Sequence, residues 1–193
     1  MSINSSILNR SFYSRDTAMV ARDLLGKTLI CQIDGITLTG TISEVEAYYG
    51  ENDSASHASR GLTPRTSVMF GLAGFSYVYF IYGTHNMLNV VTELEGVAGA
   101  VLIRSLIPGA AEEIMIKNRN GNRCNIANGP ARICQALGIS REQNSIDLTA
   151  GEELWIEDHD SVPSDCMVAS PRIGINYANQ KDREALLRFQ IKR

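Results

Sequence analysis

The sequence offers few ligands to a metal ion. Its only histidines are His57, His85 and His159, and its four cysteines stand far apart, with no two spaced as in a CxxC motif. Structural metal sites are usually built from histidines and cysteines at such short spacings. We therefore expect no metal and no other cofactor, with a site assembled from distant residues as the less favoured alternative. Three of the four cysteines lie in apolar contexts that are typical of reduced, buried thiols.

Long apolar stretches and a secretion signal are also missing. No apolar run approaches the ~18–20 residues that are needed to cross a bilayer. The polar segment at 1–16 has neither the apolar core nor the small-residue cleavage site of a signal peptide. We expect an intracellular protein with no membrane partner, in the cytoplasm or nucleoid if it is bacterial and in the nucleus if it is eukaryotic.

The chain has fewer basic than acidic residues, and the charges are unevenly distributed along it. The chain has 18 Lys and Arg against 21 Asp and Glu, which by itself argues against a nucleic-acid ligand. Eight of those acids lie between Glu142 and Asp165, where there is no Lys or Arg, so the remainder carries 18 basic against 13 acidic residues, a net charge of +5. A protein with one acidic and one basic side can hold a phosphate backbone, although an ordinary solvated surface explains the charges equally well.

Turn-forming residues divide the chain into short elements. The dipeptide Asp34-Gly35 predicts a hairpin between strands over 28–33 and 36–49. Further strands are predicted near 76–82, 87–92, 100–106, 153–157, 172–176 and 187–191, and helices near 16–25, 63–71, 110–118 and 130–137. Because hairpins outnumber βαβ crossovers, we expect one α+β domain over 1–193, with an antiparallel sheet core, flanking helices and a loosely ordered segment over 1–14.

Two carboxylates stand two residues apart in the strand over 36–49. Alternation places Glu44, Glu46 and Tyr48 on one face and Val45 and Ala47 on the other. At ~3.3 Å per residue the two carboxylates lie about 6–7 Å apart, which makes them candidates for general acid–base work. An exposed face with solvated carboxylates is the alternative, and this strand alone favours that alternative.

Three other residues have unusual surroundings. Arg104 interrupts an apolar strand, where a charge is costly unless it is paired, and Glu46 or Glu44 is its natural partner. His57 lies among small and polar residues and is a candidate ligand contact, although a structural histidine is the more frequent case. Tyr82 lies beside glycine at a hairpin tip, where it is either part of a core-packing aromatic strand or a rigid wedge that can enter a base stack.

Ten short segments then fall into a familiar order. They are Glu46-Ala-Tyr, Ala55-Ser-His-Ala, Thr63-Pro-Arg, Met69-Phe-Gly, Tyr77-Val-Tyr-Phe-Ile-Tyr-Gly, Asn89-Val-Val, Val101-Leu-Ile-Arg, Gly129-Pro-Ala-Arg-Ile-Cys-Gln-Ala-Leu-Gly-Ile, Pro171-Arg-Ile-Gly-Ile and Leu187-Arg-Phe. This series resembles the motifs of the alkyladenine (3-methyladenine) DNA glycosylases, and it spans about residues 20–190. An ordered series of this length is far more specific than any one of its members.

The resemblance implies a monofunctional DNA glycosylase of base excision repair. Such an enzyme flips an alkylated or deaminated purine, such as 3-methyladenine, hypoxanthine or ethenoadenine, out of double-stranded DNA. It then hydrolyses the N-glycosidic bond and leaves an abasic site. The resemblance also implies a single mixed α/β domain with an antiparallel core, a protruding β-hairpin and no metal.

By motif position, the resemblance assigns a role to ten residues. Glu46 would activate the attacking water, and Arg104 would place that water and the adjacent phosphate with help from the Ile173 backbone. The base would be sandwiched by Tyr48, His57 and Tyr79, and it would be screened by Asn89 through a clash with an exocyclic amino group. The DNA contacts would be Tyr82, as the wedge that fills the gap in the duplex, with Thr63 and Arg65.

Two departures from the family pattern leave the preferred lesion open. Gly83 is followed by Thr84-His85-Asn86-Met87, where the family usually has Gly-Met, a further aromatic or His, and then Cys. The turn over 93–99 is also longer than expected. Strict alternation in addition puts Tyr79 and Tyr82 on opposite faces, so we expect a twist or bulge near the hairpin tip if both contact the same nucleotide.

Two other functions remain open from the sequence. One is a noncatalytic module that binds damaged DNA, and the other is a hydrolase of free nucleosides. A Schiff-base mechanism is disfavoured because none of the four lysines lies within the ten segments. With no exposed apolar stripe in evidence, we expect a monomer.

Overall fold

The computed structural model describes residues 6–81, 83–159 and 161–192, and it is built on one antiparallel sheet. The strands are β1 (Thr28–Ile33), β2 (Ile36–Tyr49), β3 (Ser76–Ile81), β4 (His85–Val91), β5 (Gly99–Pro108), β6 (Leu154–Glu157), β7 (Met167–Ser170) and β8 (Arg188–Ile191). Their order is β3-β4-β5-β2-β1-β6, with β8 paired to both β2 and β7. Every pairing is antiparallel, which confirms the predicted α+β class.

The helices lie against this sheet. They are α1 (Arg10–Tyr13), α2 (Thr17–Leu24), α3 (Glu112–Asn118), α4 (Pro130–Leu137) and α5 (Gln180–Glu184), with 3-10 turns at His57–Arg60, Ser67–Phe70, Arg141–Gln143 and Ser164–Cys166. The Asp16 side chain caps α2 by accepting from the Met19 amide. Helix α4 begins with proline and ends at Gly138 in the left-handed conformation that favours glycine.

The hairpin of β1 and β2 has the predicted bounds. Asp34 and Gly35 both have positive φ, of 52° and 75°, as the two-residue turn of a tight hairpin requires. Strand β2 then pairs with β1 along its first half and with β8 along its second half, while β5 runs along its other edge. The long strand β2 is therefore the centre of the sheet.

A β-bulge at Ser43 changes the alternation of β2. The pairing with β5 slips by one residue there, so Ile42 and Val45 both enter the core although they are three residues apart. Glu44 and Glu46 consequently lie together on the opposite face, as the sequence predicts. Bulges of this kind are frequent next to active sites, where they re-aim side chains.

Several elements differ from the sequence predictions. Residues 172–176 form bends and not a strand, because Gly174 has a φ of +80° that interrupts extended backbone. The helix predicted over 63–71 is a turn followed by a single 3-10 turn. Strand β7 and helix α5 are not predicted at all, since each is too short to show a periodic apolar pattern.

The segment over 6–14 is better packed than its polar sequence predicts. Leu8 and Tyr13 are buried in the main core, and Arg10 forms an ion pair with Asp147. These contacts attach the segment over 6–14 to the rest of the domain. No helix in the described part of the chain is long and apolar enough to cross a membrane.

The hairpin of β3 and β4 extends to the surface. Its strands pair regularly from Ser76–Val90 to Ile81–His85, and residues 83–85 at its end are exposed. Tyr82, together with the bulge expected beside it, lies outside the described residues.

Candidate functional site

A cavity of about 280 Å³ lies beside β2, β3 and β4, and aromatic side chains form much of its wall. The aromatic residues are Tyr48, His57, Tyr77, Tyr79 and Tyr177, and the polar ones include Ser56, Asn89 and Arg104. Apolar parts of the wall come from Met69, Ile81, Met87, Leu102, Ile173 and Ile175. An apolar cavity with a few converging polar groups is the usual form of a small-ligand site.

Glu46 lies directly behind this wall and is completely buried. Its Oε1 accepts a hydrogen bond from the Ile173 amide at 2.7 Å, and its Oε2 accepts from the Tyr48 hydroxyl at 2.7 Å and from Arg104 Nη1 at 3.1 Å. All three donors belong to the cavity wall. A carboxylate has about four acceptor positions, so one position, on Oε1, is left for a further donor.

Arg104 joins the two carboxylates of β2. Its Nε lies 3.1 Å from Glu44 Oε1 while its Nη1 contacts Glu46, so both of the predicted partners pair with it. Glu44 also lies 3.7 Å from Arg188 Nη1. The Arg104 guanidinium is thus held by two carboxylates, which fixes its position in the cavity wall.

The Tyr48 hydroxyl is held in its protonated form. Burial and the negative charge of Glu46 both raise the pKa of Tyr48 well above its ordinary value, so the phenol remains a donor to the carboxylate. The Arg172 guanidinium lies 4.6 Å from the centre of the same ring. The ring is therefore fixed at its hydroxyl end and along one face.

Arg172 and Asp53 form a buried ion pair that the sequence analysis misses. Arg172 Nη1 and Nη2 donate to the two oxygens of Asp53 at 2.5 and 2.8 Å, and Nη1 also donates to the Ala47 carbonyl. Burial alone would lower the pKa of Arg172, but the hydrogen bonds and charge of Asp53 raise it. Because Arg172 precedes Ile173, this pair places the amide that contacts Glu46.

His57 is in edge contact with the ring of Tyr79, at 4.4 Å between ring centres. Its Nδ1 lies 3.0 Å from the Tyr77 hydroxyl. Burial and the nearby charge of Arg65 lower the pKa of His57 to about 4, so the imidazole is neutral at physiological pH. Tyr77 is not among the predicted site residues, and its only signal in the sequence is its place at the start of a tyrosine-rich strand.

The remaining predicted site residues occupy different positions. Asn89 lines the cavity, and its Nδ2 donates to the Tyr77 carbonyl at 3.0 Å. Thr63 and Arg65 lie outside the cavity wall in an exposed turn, where the Thr63 hydroxyl accepts from the Thr66 amide. Arg65 nevertheless reaches the cavity from behind, with its guanidinium 5.4 Å from the centre of the Tyr79 ring.

Metal ligands do not converge within the described ranges. No group of three or more His, Cys, Asp and Glu side chains among residues 6–81, 83–159 and 161–192 is placed to hold an ion. All four cysteines are free, with Cys31 and Cys134 buried and Cys124 and Cys166 exposed.

The site is thus a buried carboxylate beside an aromatic cavity, with its three hydrogen-bond donors in the cavity wall. Residues 11–193 match the family model described as methylpurine-DNA glycosylase. The chain belongs to the methylpurine-DNA glycosylase family. It is accordingly an enzyme that cleaves the N-glycosidic bond of a methylated purine such as 3-methyladenine in DNA.

Relatives from both archaea and bacteria match over nearly their whole length. A Methanocella arvoryzae protein is 49% identical over 90% of this chain and 87% of its own. A Clostridium perfringens protein is 44% identical over 96% of this chain and 95% of its own, and a Wolbachia protein is 46% identical over 98% and 99%. Each carries a name that describes it as a candidate 3-methyladenine DNA glycosylase.

Proposed function

We propose that this enzyme flips a damaged purine out of duplex DNA and hydrolyses its N-glycosidic bond with a water activated by Glu46. The observation that carries the proposal is the position of Glu46, fully buried behind the cavity with its three donors in the wall. A base inside the duplex cannot present its glycosidic bond to such a carboxylate, so extrusion comes first and costs a few kcal/mol.

The cavity supports a role in holding the flipped base. Tyr48, His57 and Tyr79 offer ring faces and edges on which a purine stacks. Tyrosine faces also favour a cation, which suits an alkylated purine that already carries positive charge. Asn89 screens bases by its position in the wall, where its amide is held by the Tyr77 carbonyl and meets an exocyclic amino group.

The polar groups at Glu46 support a role in water activation. The open acceptor position on Oε1 lies beside the Ile173 amide, and Arg104 lies on the other oxygen. A water there would donate to Glu46, and Arg104 would orient it and the neighbouring phosphate. Among the described residues no lysine belongs to the cavity wall, which supports hydrolysis by water and an intact abasic strand as product.

The surface around the cavity binds the duplex. Tyr82, which lies outside the described residues, is the wedge that fills the vacated space, and Thr63 and Arg65 contact the DNA backbone. Hypoxanthine and ethenoadenine are substrates alongside 3-methyladenine. The enzyme acts inside the cell in base excision repair, and as a monomer, because one chain supplies every side chain that this chemistry uses.

Glu46→Gln tests the proposal. Duplex oligonucleotides with 3-methyladenine, hypoxanthine or ethenoadenine are incubated with each protein under single-turnover conditions, and alkali-labile abasic sites are counted. We expect excision to fall by about 10²–10⁴, the usual effect of losing a general base, with affinity for the damaged duplex unchanged within a few-fold. Glu152→Gln, at an exposed glutamate outside the cavity wall, is the control.

Three results would contradict the proposal. Near wild-type excision by the Glu46→Gln variant would show that another residue acts as the general base. Binding without abasic sites in the wild type would indicate a damage-binding module. Cleavage of free nucleosides, with no action on the duplex, would indicate a nucleoside hydrolase.

A further inference from the structure

The two ring nitrogens of His57 have different surroundings. Nδ1 lies 3.0 Å from the Tyr77 hydroxyl. Nε2 has no hydrogen-bond partner within residues 6–81, 83–159 and 161–192, although His57 is part of the cavity wall. One nitrogen is therefore tied to the protein, and the other is left for a ligand.

The imidazole of His57 is neutral, so only one of its two nitrogens carries a proton. Burial and the charge of Arg65 lower the pKa of His57 to about 4. A neutral imidazole has one N–H and one lone pair, and which nitrogen has the proton is decided by the partner of the other. The partner of Nδ1 is therefore the group that sets what Nε2 offers to the cavity.

The direction of the hydrogen bond follows from the surroundings of the Tyr77 hydroxyl. The positive charge of Arg65 acts on this hydroxyl, and a guanidinium offers its O–H no acceptor. Burial raises the pKa of Tyr77, so its O–H stays protonated. This hydroxyl is buried, and a buried O–H requires an acceptor, for which the Nδ1 lone pair of His57 is in place.

The opposite direction of the hydrogen bond leaves the buried Tyr77 O–H without an acceptor among the described residues. If His57 Nδ1–H donated to Tyr77, the phenolic oxygen would be the acceptor of this hydrogen bond. Its own O–H would then have no acceptor among the residues that the structure describes. When the Tyr77 O–H donates to the Nδ1 lone pair instead, both groups have a partner.

We propose that Tyr77 fixes His57 in the Nε2–H tautomer, so that His57 presents a hydrogen-bond donor to the flipped base. Tyr77 is a positioning residue that acts through His57, and His57 is the residue that touches the base. The proposal deepens the proposed function and rests on it for the identity of the ligand.

A donor at this point distinguishes two classes of purine. A neutral base gains negative charge as its glycosidic bond breaks, and a positioned donor stabilises that charge at a ring nitrogen or carbonyl oxygen. An alkylated cationic base leaves as a neutral molecule and gains less from the same contact. The donor should therefore matter more for hypoxanthine than for 3-methyladenine.

The tautomer is tested first in the free protein, without DNA. Nitrogen-15 NMR of protein labelled at histidine distinguishes Nε2–H from Nδ1–H, and His57→Asn identifies the His57 signals among the three histidines. At pH 7 we expect the Nε2–H form for His57, and a mixture of both forms in Tyr77→Phe. An Nδ1–H form in the wild type would overturn the proposal, whatever the enzyme acts on.

Excision then tests the consequence. Tyr77→Phe should slow single-turnover excision of hypoxanthine by about 3- to 10-fold, the effect of one hydrogen bond, and should change excision of 3-methyladenine less. Tyr13→Phe is the control, since it removes a buried hydroxyl that has no partner and lies outside the cavity wall. Thermal melting of each variant verifies folding.

The outcomes separate the two proposals. Equal losses on both lesions, or none on hypoxanthine, would overturn the donor role of His57. If the wild type excised neither lesion, the proposed function would fail, while the NMR result would still decide the tautomer.

Discussion

The buried pair of Asp53 and Arg172 allows a prediction with a magnitude. Asp53→Asn removes the negative charge and leaves the Arg172 guanidinium in a place where its side chain has no exposed surface. Removing one partner of a buried ion pair costs about 3–5 kcal/mol, because the other charge remains without compensation. An asparagine keeps one acceptor oxygen in nearly the same place, so we expect the lower end, about 3 kcal/mol.

That cost is large enough to measure in a chain of this size. For 150–250 residues each kcal/mol corresponds to roughly 2–4 °C, so the melting temperature should fall by about 6–12 °C. The same change loosens the segment that presents the Ile173 amide to Glu46. We therefore expect single-turnover excision to fall as well, at a temperature where the variant is still folded.

The control is an ion pair with similar contacts but full exposure. Arg123 donates to both oxygens of Glu113 at 2.9 Å, and their side chains are 68% and 74% exposed. Glu113→Gln should leave the melting temperature unchanged, since exposed pairs contribute little. If Asp53→Asn melts within 2 °C of the wild type, the argument from an uncompensated buried charge is refuted.

Two further predictions concern the wedge and pH. Tyr82→Ala should weaken binding to a lesion duplex by about 1–3 kcal/mol in a fluorescence titration, as loss of a stacked aromatic does, and unchanged affinity would exclude the wedge. Burial and the charge of Arg65 lower the pKa of His57 from 6.5 to about 4, so between these values the unfolded chain binds a proton that the folded one does not. The free energy of unfolding should therefore fall as the pH drops from 6.5 to 4, and His57→Asn should flatten that decline.

The sequence best predicts the elements that begin or end at a residue with a strong conformational preference. The hairpin at Asp34-Gly35 and the helix over Pro130–Leu137 have the expected bounds, because each has a residue type that few other conformations accept. Strand β7 and helix α5 lack such marks. They exist because other parts of the chain provide them with a partner or a surface.

The candidate site also has some contacts that the sequence predicts and others that it does not. The cost of a charge in an apolar strand is enough to pair Arg104 with Glu44 and Glu46, and both pairs are present. Nothing in the sequence indicates that Asp53 meets Arg172, which lies 119 residues further along the chain. The His57 contact with Tyr77 is hidden for a similar reason, since the turn between them decides how close they come.

Strand β8 and the Ile173 amide give the enzyme a late step in its assembly. Both contact the part of β2 that carries Glu46, and the amide comes from a residue 127 positions further along the chain. During synthesis the earlier part of a chain emerges and begins to fold first. A growing chain can therefore pair most of its strands, yet the cavity lacks part of its wall and Glu46 lacks a donor and a covering strand until the segment over 171–191 has docked. Nascent or shortened chains should bind the nucleotide poorly and cleave it hardly at all, so the reaction begins only once the whole sheet has closed.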